Sequence, residues 1–146
     1  MKPLHFLLTS LAVLFCSPST AQDCLKLMSY NIRLSAKDDG LNSWRYRRQA
    51  TARLLQTERP ALIGMQEVCP DQLTYLDSVM TQYGHVGVGR EDGKSEGEMM
   101  AVFYDRSLLD LQQWGSFWLS ETPDVPSLGW DAAYKRTCTW TLLNYR

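Results

Sequence analysis

An apolar run that closes on an acid constrains this chain more than any other feature. Residues 61–68 read Ala-Leu-Ile-Gly-Met-Gln-Glu-Val, bounded by Pro60 before and Cys69-Pro70 after. Leu62, Ile63 and Met65 predict a short strand covered on both faces. Glu67 then falls at the carboxyl end of that strand, which is where open α/β sheets place their ligands. An ionisable group closing a buried strand is costly unless something pairs with it. A solvated Glu at a loop mouth is the competing reading, and the other segments have to decide between the two.

The chain has 146 residues, and its first twenty-one have the make-up of an export signal. Lys2 is the only charge there, an apolar stretch from Leu7 to Phe15 follows, and Ser19-Thr20-Ala21 supplies small residues for cleavage before Gln22. The stretch is too short and wrongly flanked for a membrane span. Cys16 raises a lipoprotein alternative, but bulky Phe15 before it favours simple cleavage and an exported, periplasmic or extracellular product. Residues 22–146 then form one domain, with 14 of the 15 basic side chains and all 16 acidic ones, a net charge of −2. That balance gives no general attraction to nucleic acid. No obligate protein partner is evident in the sequence.

Cys24, Cys69 and Cys138 remain, without the close spacing of a zinc knuckle or a redox motif, and the spacing names no disulfide. His85 is then the only histidine, which excludes zinc sites built on two or three of them. It lies in an alternating run, Tyr83-Gly-His-Val, and reads as a satisfied or solvent-facing strand residue.

In chain order, a strand is expected from Cys24 to Arg33 with Leu25, Leu27 and Met28 inward. A helix follows from Trp44 to Glu58, capped by Ser43, with Trp44, Thr51, Leu54 and Leu55 on one face. The strand carrying Glu67 is followed by a second helix from Pro70 to Gln82 with Leu73, Leu76, Val79 and Met80 as its stripe. Strand and helix alternating in this way predict an α/β layer. Residues 89–97, Gly-Arg-Glu-Asp-Gly-Lys-Ser-Glu-Gly, are too polar and glycine-rich to bury and read as a loop. Strands are expected at 98–104, 108–114 and 116–119, then a loop from Ser120 to Trp130. A last β-branched and aromatic strand runs from Thr137 to Tyr145.

Several separated segments match one family together. Ser29-Tyr-Asn-Ile-Arg, Asn42-Ser-Trp with Arg47, Ile63-Gly-Met-Gln-Glu-Val, Gly89-Arg-Glu-Asp-Gly, Gly97-Glu98, and Phe117-Trp-Leu-Ser-Glu-Thr-Pro through Gly129-Trp-Asp-Ala-Ala to Arg136 stand in the family's order. The chain resembles the endonuclease/exonuclease/phosphatase superfamily, and most of all its exported bacterial members. The resemblance implies an α/β fold of four layers, two packed mixed sheets with helices outside, and divalent-metal hydrolysis of phosphate esters. It puts Asn31 on an Asn that helps hold the metal site and the phosphate, and Glu67 on the Glu that ligates Mg²⁺ (or Mn²⁺), apt for a hard cation. Glu98 falls on an acid that steadies a catalytic histidine in nuclease relatives, and Arg136 on a basic position facing the scissile phosphate. Arg90 and Asp92 match the subgroup's loop without an assigned role, and Tyr134 stands where relatives carry Cys.

In that family a Thr-His motif, an Asp and Asn pair and a final Asp-His pair come after the strand that closes this chain, which ends at Arg146. The expectation is therefore the N-terminal half of such a domain over residues 22–146. It supplies part of a Mg²⁺-dependent phosphodiesterase or nuclease site, binds the cation weakly, and is inactive as a fragment. A phosphate-binding module without catalysis and a non-functional gene fragment are the alternatives. The resemblance leaves the substrate open among nucleic acid, sugar phosphate and lipid phosphate.

Overall fold

The structure, a computed structural model, describes residues 24–35 and 38–146. The export signal read over residues 1–21, with its cleavage point and Cys16, lies outside the described residues. The elements run β1 (Leu27–Asn31), a 3₁₀ turn (Gly40–Asn42), α1 (Trp44–Glu58), β2 (Leu62–Val68), α2 (Pro70–Val79), β3 (Tyr83–Val86), β4 (Met99–Asp105), β5 (Leu109–Trp118) and β6 (Thr137–Tyr145).

β1, β2, β4 and β3, in that spatial order, make one mixed sheet. β1 lies parallel to β2, and β4 runs antiparallel to both β2 and β3. β5 and β6 form a separate antiparallel pair. Ile63, Met65, Ala101 and Phe103 from β2 and β4 meet Trp44 and Leu55 of α1 and Leu76 of α2 in one buried core. Gly64, Gln66, Met100 and Val102, which alternate with those residues, look across a gap of about 320 Å³ at Thr137, Cys138 and Thr139 of β6. The described layers are thus helices, sheet and second sheet, a partial α/β sandwich of the expected kind. No described helix is long and apolar enough to cross a membrane.

The helix ends follow local chemistry. Pro60 stops α1 after Arg59 turns left-handed at φ 43°, and the Arg59 N–H still donates to Leu55 O. Cys69 opens α2 with a reciprocal cap, its N–H donating to Gln72 Oε1 at 2.9 Å, and Pro70 occupies the first turn. Ser43 stands at the start of α1 as expected but caps nothing there, because its hydroxyl turns back to donate to Gly40 O at 2.7 Å.

Four expectations change. β1 points Met28 and Tyr30 at the core and leaves Leu27 66 % exposed, because the parallel pairing with β2 fixes which alternate set faces the helices. Leu54 lies on the outer side of α1. The two expected strands around Gly115 are one, since Gly115 continues β5 and makes room for the Trp140 ring, whose Nε1 would sit 2.9 Å from an added Cβ. The loop at 89–97 is not wholly solvated, for Gly89 and Arg90 are buried. His85 lies on β3 with its Nδ1 2.9 Å from Asp77 and its ring against Phe103. Cys24, Cys69 and Cys138 are all free thiols.

Candidate active site

Glu67 does not sit on regular strand. Met65 pairs with Ala101 and Val68 with Met99, so β2 spends one more residue than β4 between those pairs. The resulting bulge puts Glu67 at φ 62°, in the left-handed region that a side-chain-bearing residue rarely enters. Such a conformation costs about 1–3 kcal/mol and persists where neighbours determine it fully.

The neighbours here are specific. Parallel pairing sets Asn31 beside Gln66 at the carboxyl ends of β1 and β2. Asn31 Nδ2 donates to Glu67 Oε1 at 2.8 Å, and the Leu34 N–H donates to Glu67 Oε2 at 3.0 Å. The Asn31 bond, then the Leu34 amide, with smaller help from the Arg33 and Arg136 charges, hold the Glu67 carboxyl below the usual carboxylate range against the effect of burial. Glu67 is therefore ionised at neutral pH and fixed at both oxygens, each with lone pairs to spare.

The turn that delivers these donors is itself clamped. Asn31 Oδ1 accepts from the Arg33 N–H at 2.8 Å, and Arg33 takes φ 61°. Arg47 reaches in from α1 and donates to Ile32 O at 2.6 Å, to Arg33 O at 3.0 Å and to Asn42 O. Gln72, fully buried on α2, donates to Arg33 O at 2.8 Å. Arg47 was legible only as part of the Asn42-Ser-Trp segment; its position three residues after a helix-opening Trp gives no hint that it holds carbonyls of another element.

Asn31, Glu67, Glu98 and Arg136, the four residues singled out from the sequence, line one cleft of about 260 Å³ between the two sheets, together with Arg90, Lys135 and Thr137. Asn31 reaches the carboxylate through its amide nitrogen, and its carboxamide oxygen is already bonded to Arg33. It acts on Glu67 as a positioning group, with one lone pair left for any ligand. Glu98 has no histidine beside it: its Oε1 lies 2.9 Å from Arg90 Nη2, in a pair with both side chains largely buried. Arg90 is pinned further by its carbonyl, which accepts from Trp118 Nε1 at 2.8 Å. Lys135 is engaged by Glu91 at 3.2 Å. Arg136 has no carboxylate within ion-pair distance among the described residues, and its guanidinium lies 6.0 Å from the Tyr134 ring centre. Thr137 is buried, and its hydroxyl has no hydrogen-bond partner.

Among the described residues no three His, Cys, Asp or Glu side chains converge. A tetrahedral zinc site does not fit. A hard divalent cation does, because Mg²⁺ keeps several waters and is commonly held by one or two carboxylates plus the substrate's phosphate. Glu67 supplies such a carboxylate, Arg136 a free cation for phosphate, and the unpartnered Thr137 hydroxyl marks polar space that the protein leaves unfilled.

A helix layer on a mixed sheet, a second sheet behind it, and a carboxylate at the strand ends between them form the architecture of the endonuclease/exonuclease/phosphatase superfamily, over the part that this chain spans. The endonuclease/exonuclease/phosphatase protein of Bacteroides vulgatus is 34% identical, with a TM-score of 0.81 over 83% of this chain and 47% of its own. The mannosyl-6-phosphatase of Bacteroides thetaiotaomicron is 39% identical, with a TM-score of 0.80 over 84% of this chain and 46% of its own. ANGEL2, a 2′,3′-cyclic phosphatase, shares the fold at 16% identity and a TM-score of 0.64, over 84% of this chain and 37% of its own. A protein of Acanthamoeba polyphaga mimivirus is 23% identical over 75% of this chain and 18% of its own length. No protein-family model matches the chain. The chain spans under half the length of the solved structures it matches.

Proposed function

We propose that this chain carries the metal- and phosphate-gripping part of a Mg²⁺- or Mn²⁺-dependent phosphoesterase site, with a sugar phosphate as the first substrate class to test. The observation that carries the reading is Glu67 itself: an ionised carboxylate held in a strained left-handed conformation by Asn31 and the Leu34 amide, facing a cleft that also holds an unpaired arginine. Strain of this kind clusters at active sites and ligand clamps. The mannosyl-6-phosphatase relative supports the sugar phosphate, and the near-neutral charge of the chain offers nothing to favour a long nucleic acid. Export to the periplasm or beyond, read from residues 1–21, belongs to the same proposal.

When bound, the cation supplies Lewis-acid charge neutralisation at a phosphoryl oxygen. Glu67 holds that charge in place, and Arg136 orients the phosphate and opposes the negative charge that develops on it. Asn31 and Leu34 keep both Glu67 oxygens aimed. Glu98 fixes Arg90, which walls the cleft.

A second reading, a module that binds the phosphate without cutting it, has one observation in its favour. Both carboxylates of the cleft are committed, Glu67 to its two donors and Glu98 to Arg90, so neither is free to take a proton from water. Phosphate release from a hexose phosphate and from a bis-aryl phosphodiester, measured with Mg²⁺ for the wild type and Glu67→Gln, separates the readings. Metal-dependent release that Glu67→Gln lowers by orders of magnitude supports the enzyme. Saturable, Glu67-dependent binding of the hexose phosphate without release supports the module. Turnover or binding indifferent to Glu67 refutes both.

A further inference from the structure

We infer that a second pocket, on the far side of the Arg90–Trp118 wall from Glu67, binds an uncharged sugar ring. It has a volume of about 360 Å³ and is lined by Asp92, Trp114, Ser116, Trp118, Asp124 and Pro126. Trp118 separates the two places, since it lines this pocket while its Nε1 donates to the carbonyl of Arg90, which lines the cleft.

Three features of the lining choose the ligand. The first is a flat apolar surface: Trp114 is 43% exposed, whereas Trp118 is 5% exposed and offers only an edge. One open indole makes a platform on which a ring stacks, and it lacks the several facing aromatics that enclose an organic cation. The second is a set of fixed hydrogen-bond acceptors. Asp92 Oδ1 accepts from the Lys94 and Glu96 amides at 2.8 and 2.9 Å, bonds that also keep its carboxyl ionised, so its second oxygen is held ready for a hydroxyl. Asp124 enters from the loop after β5, and the Ser116 hydroxyl is steadied by Thr139 at 2.8 Å. The third is the charge of the lining: it has two carboxylates and no basic side chain, which excludes a phosphate. Two carboxylates without a third ligand do not make a metal site either. An apolar face with acceptors at its rim is what a sugar ring presents a match for, with C–H groups on one face and hydroxyls around the edge.

Local backbone is built to keep this pocket open. Gly93 takes φ 72°, and an added Cβ there would press to 3.1 Å from the Trp118 ring. The loop from Gly89 to Gly97 thus folds tightly against the indole and carries Asp92 with it.

The inference stands whether or not the Glu67 cleft hydrolyses a phosphate ester. The full chain is titrated with methyl α-mannopyranoside and methyl β-glucopyranoside while the indole N–H resonances are followed by NMR. The Trp114 signal is expected to shift saturably at millimolar glycoside. Trp114→Ala and Asp124→Asn should each weaken binding at least tenfold, and Asp124, exposed in its loop, is the variant that leaves the fold intact. Glu67→Gln should leave this binding unchanged, which separates it from the phosphate site. No saturable shift with either glycoside overturns the inference. So does saturation by choline in place of the glycosides, which would make this a cation site.

Discussion

The left-handed conformation of Glu67 can be weighed with a pair of substitutions. Glu67→Ala and Glu67→Gly both delete the carboxylate and with it the bonds from Asn31 and Leu34, so those losses cancel in the comparison. What remains is a Cβ at φ 62°. A left-handed backbone costs an L-residue roughly 1–2 kcal/mol, while glycine within a strand is ordinarily worse than alanine by about 0.5–1 kcal/mol through its greater chain entropy. The difference predicts that Glu67→Gly is more stable than Glu67→Ala by about 0.5–1 kcal/mol, the reverse of the usual strand order. With a urea slope of about 1–3 kcal/mol/M for a small protein, the glycine variant should unfold at a midpoint higher by about 0.5 M. Alanine equal to or more stable than glycine would refute the bulge and the strain argument built on it.

Three further outcomes follow from the same geometry. Arg47→Met strips donors from the Ile32, Arg33 and Asn42 carbonyls and should cost about 2 kcal/mol in urea unfolding, and Arg47→Lys should rescue little because a point ammonium cannot span them. Because the folded Glu67 carboxyl is depressed below its ordinary value of 4.5, its stabilising contribution is present above that pH and is lost as pH falls through the lowered folded value. Stability should therefore hold from neutral pH to about pH 5 and fall below it, and Asn31→Ala, which removes the largest cause, should move the fall to higher pH. Among the described residues β6 pairs only with β5, carries no charge from Thr137 to Tyr145, and leaves Trp140, Leu142 and Tyr145 about half exposed. The chain should self-associate in sedimentation, and Leu142→Lys should reduce this by charging the exposed strand.

Much of this site was legible because its parts announce themselves locally. The run from Leu62 to Val68 has the apolar density of a covered strand, and Glu67 and Asn31 each end one, so parallel pairing brings them together. What stayed hidden depends on partners distant in sequence. The bulge at Glu67 arises from a count against β4, and no glycine at that position signals it. Leu25 and Leu27 look as apolar as Met28 and Tyr30, and only the register with β2 decides which set is inside. Arg90 reads as one charge among many in a polar loop, yet it is buried through Glu98 and the Trp118 indole. The glycines at 89, 93 and 97 were the available signal, since they permit the tight turn that carries Arg90 inward.

The central claim is that Glu67 and Arg136 grip a divalent cation and a phosphate together. Mn²⁺ binding to the chain, followed by loss of the free-ion electron paramagnetic resonance signal with and without a saturating hexose phosphate, tests it without requiring turnover. A single carboxylate should bind Mn²⁺ weakly alone, and the phosphate, supplying ligands of its own, should tighten that binding at least tenfold. Glu67→Gln should abolish the binding in both conditions, while Arg136→Ala should abolish only the tightening. Mn²⁺ affinity that is indifferent to Glu67, or that the hexose phosphate leaves unchanged, would contradict the account.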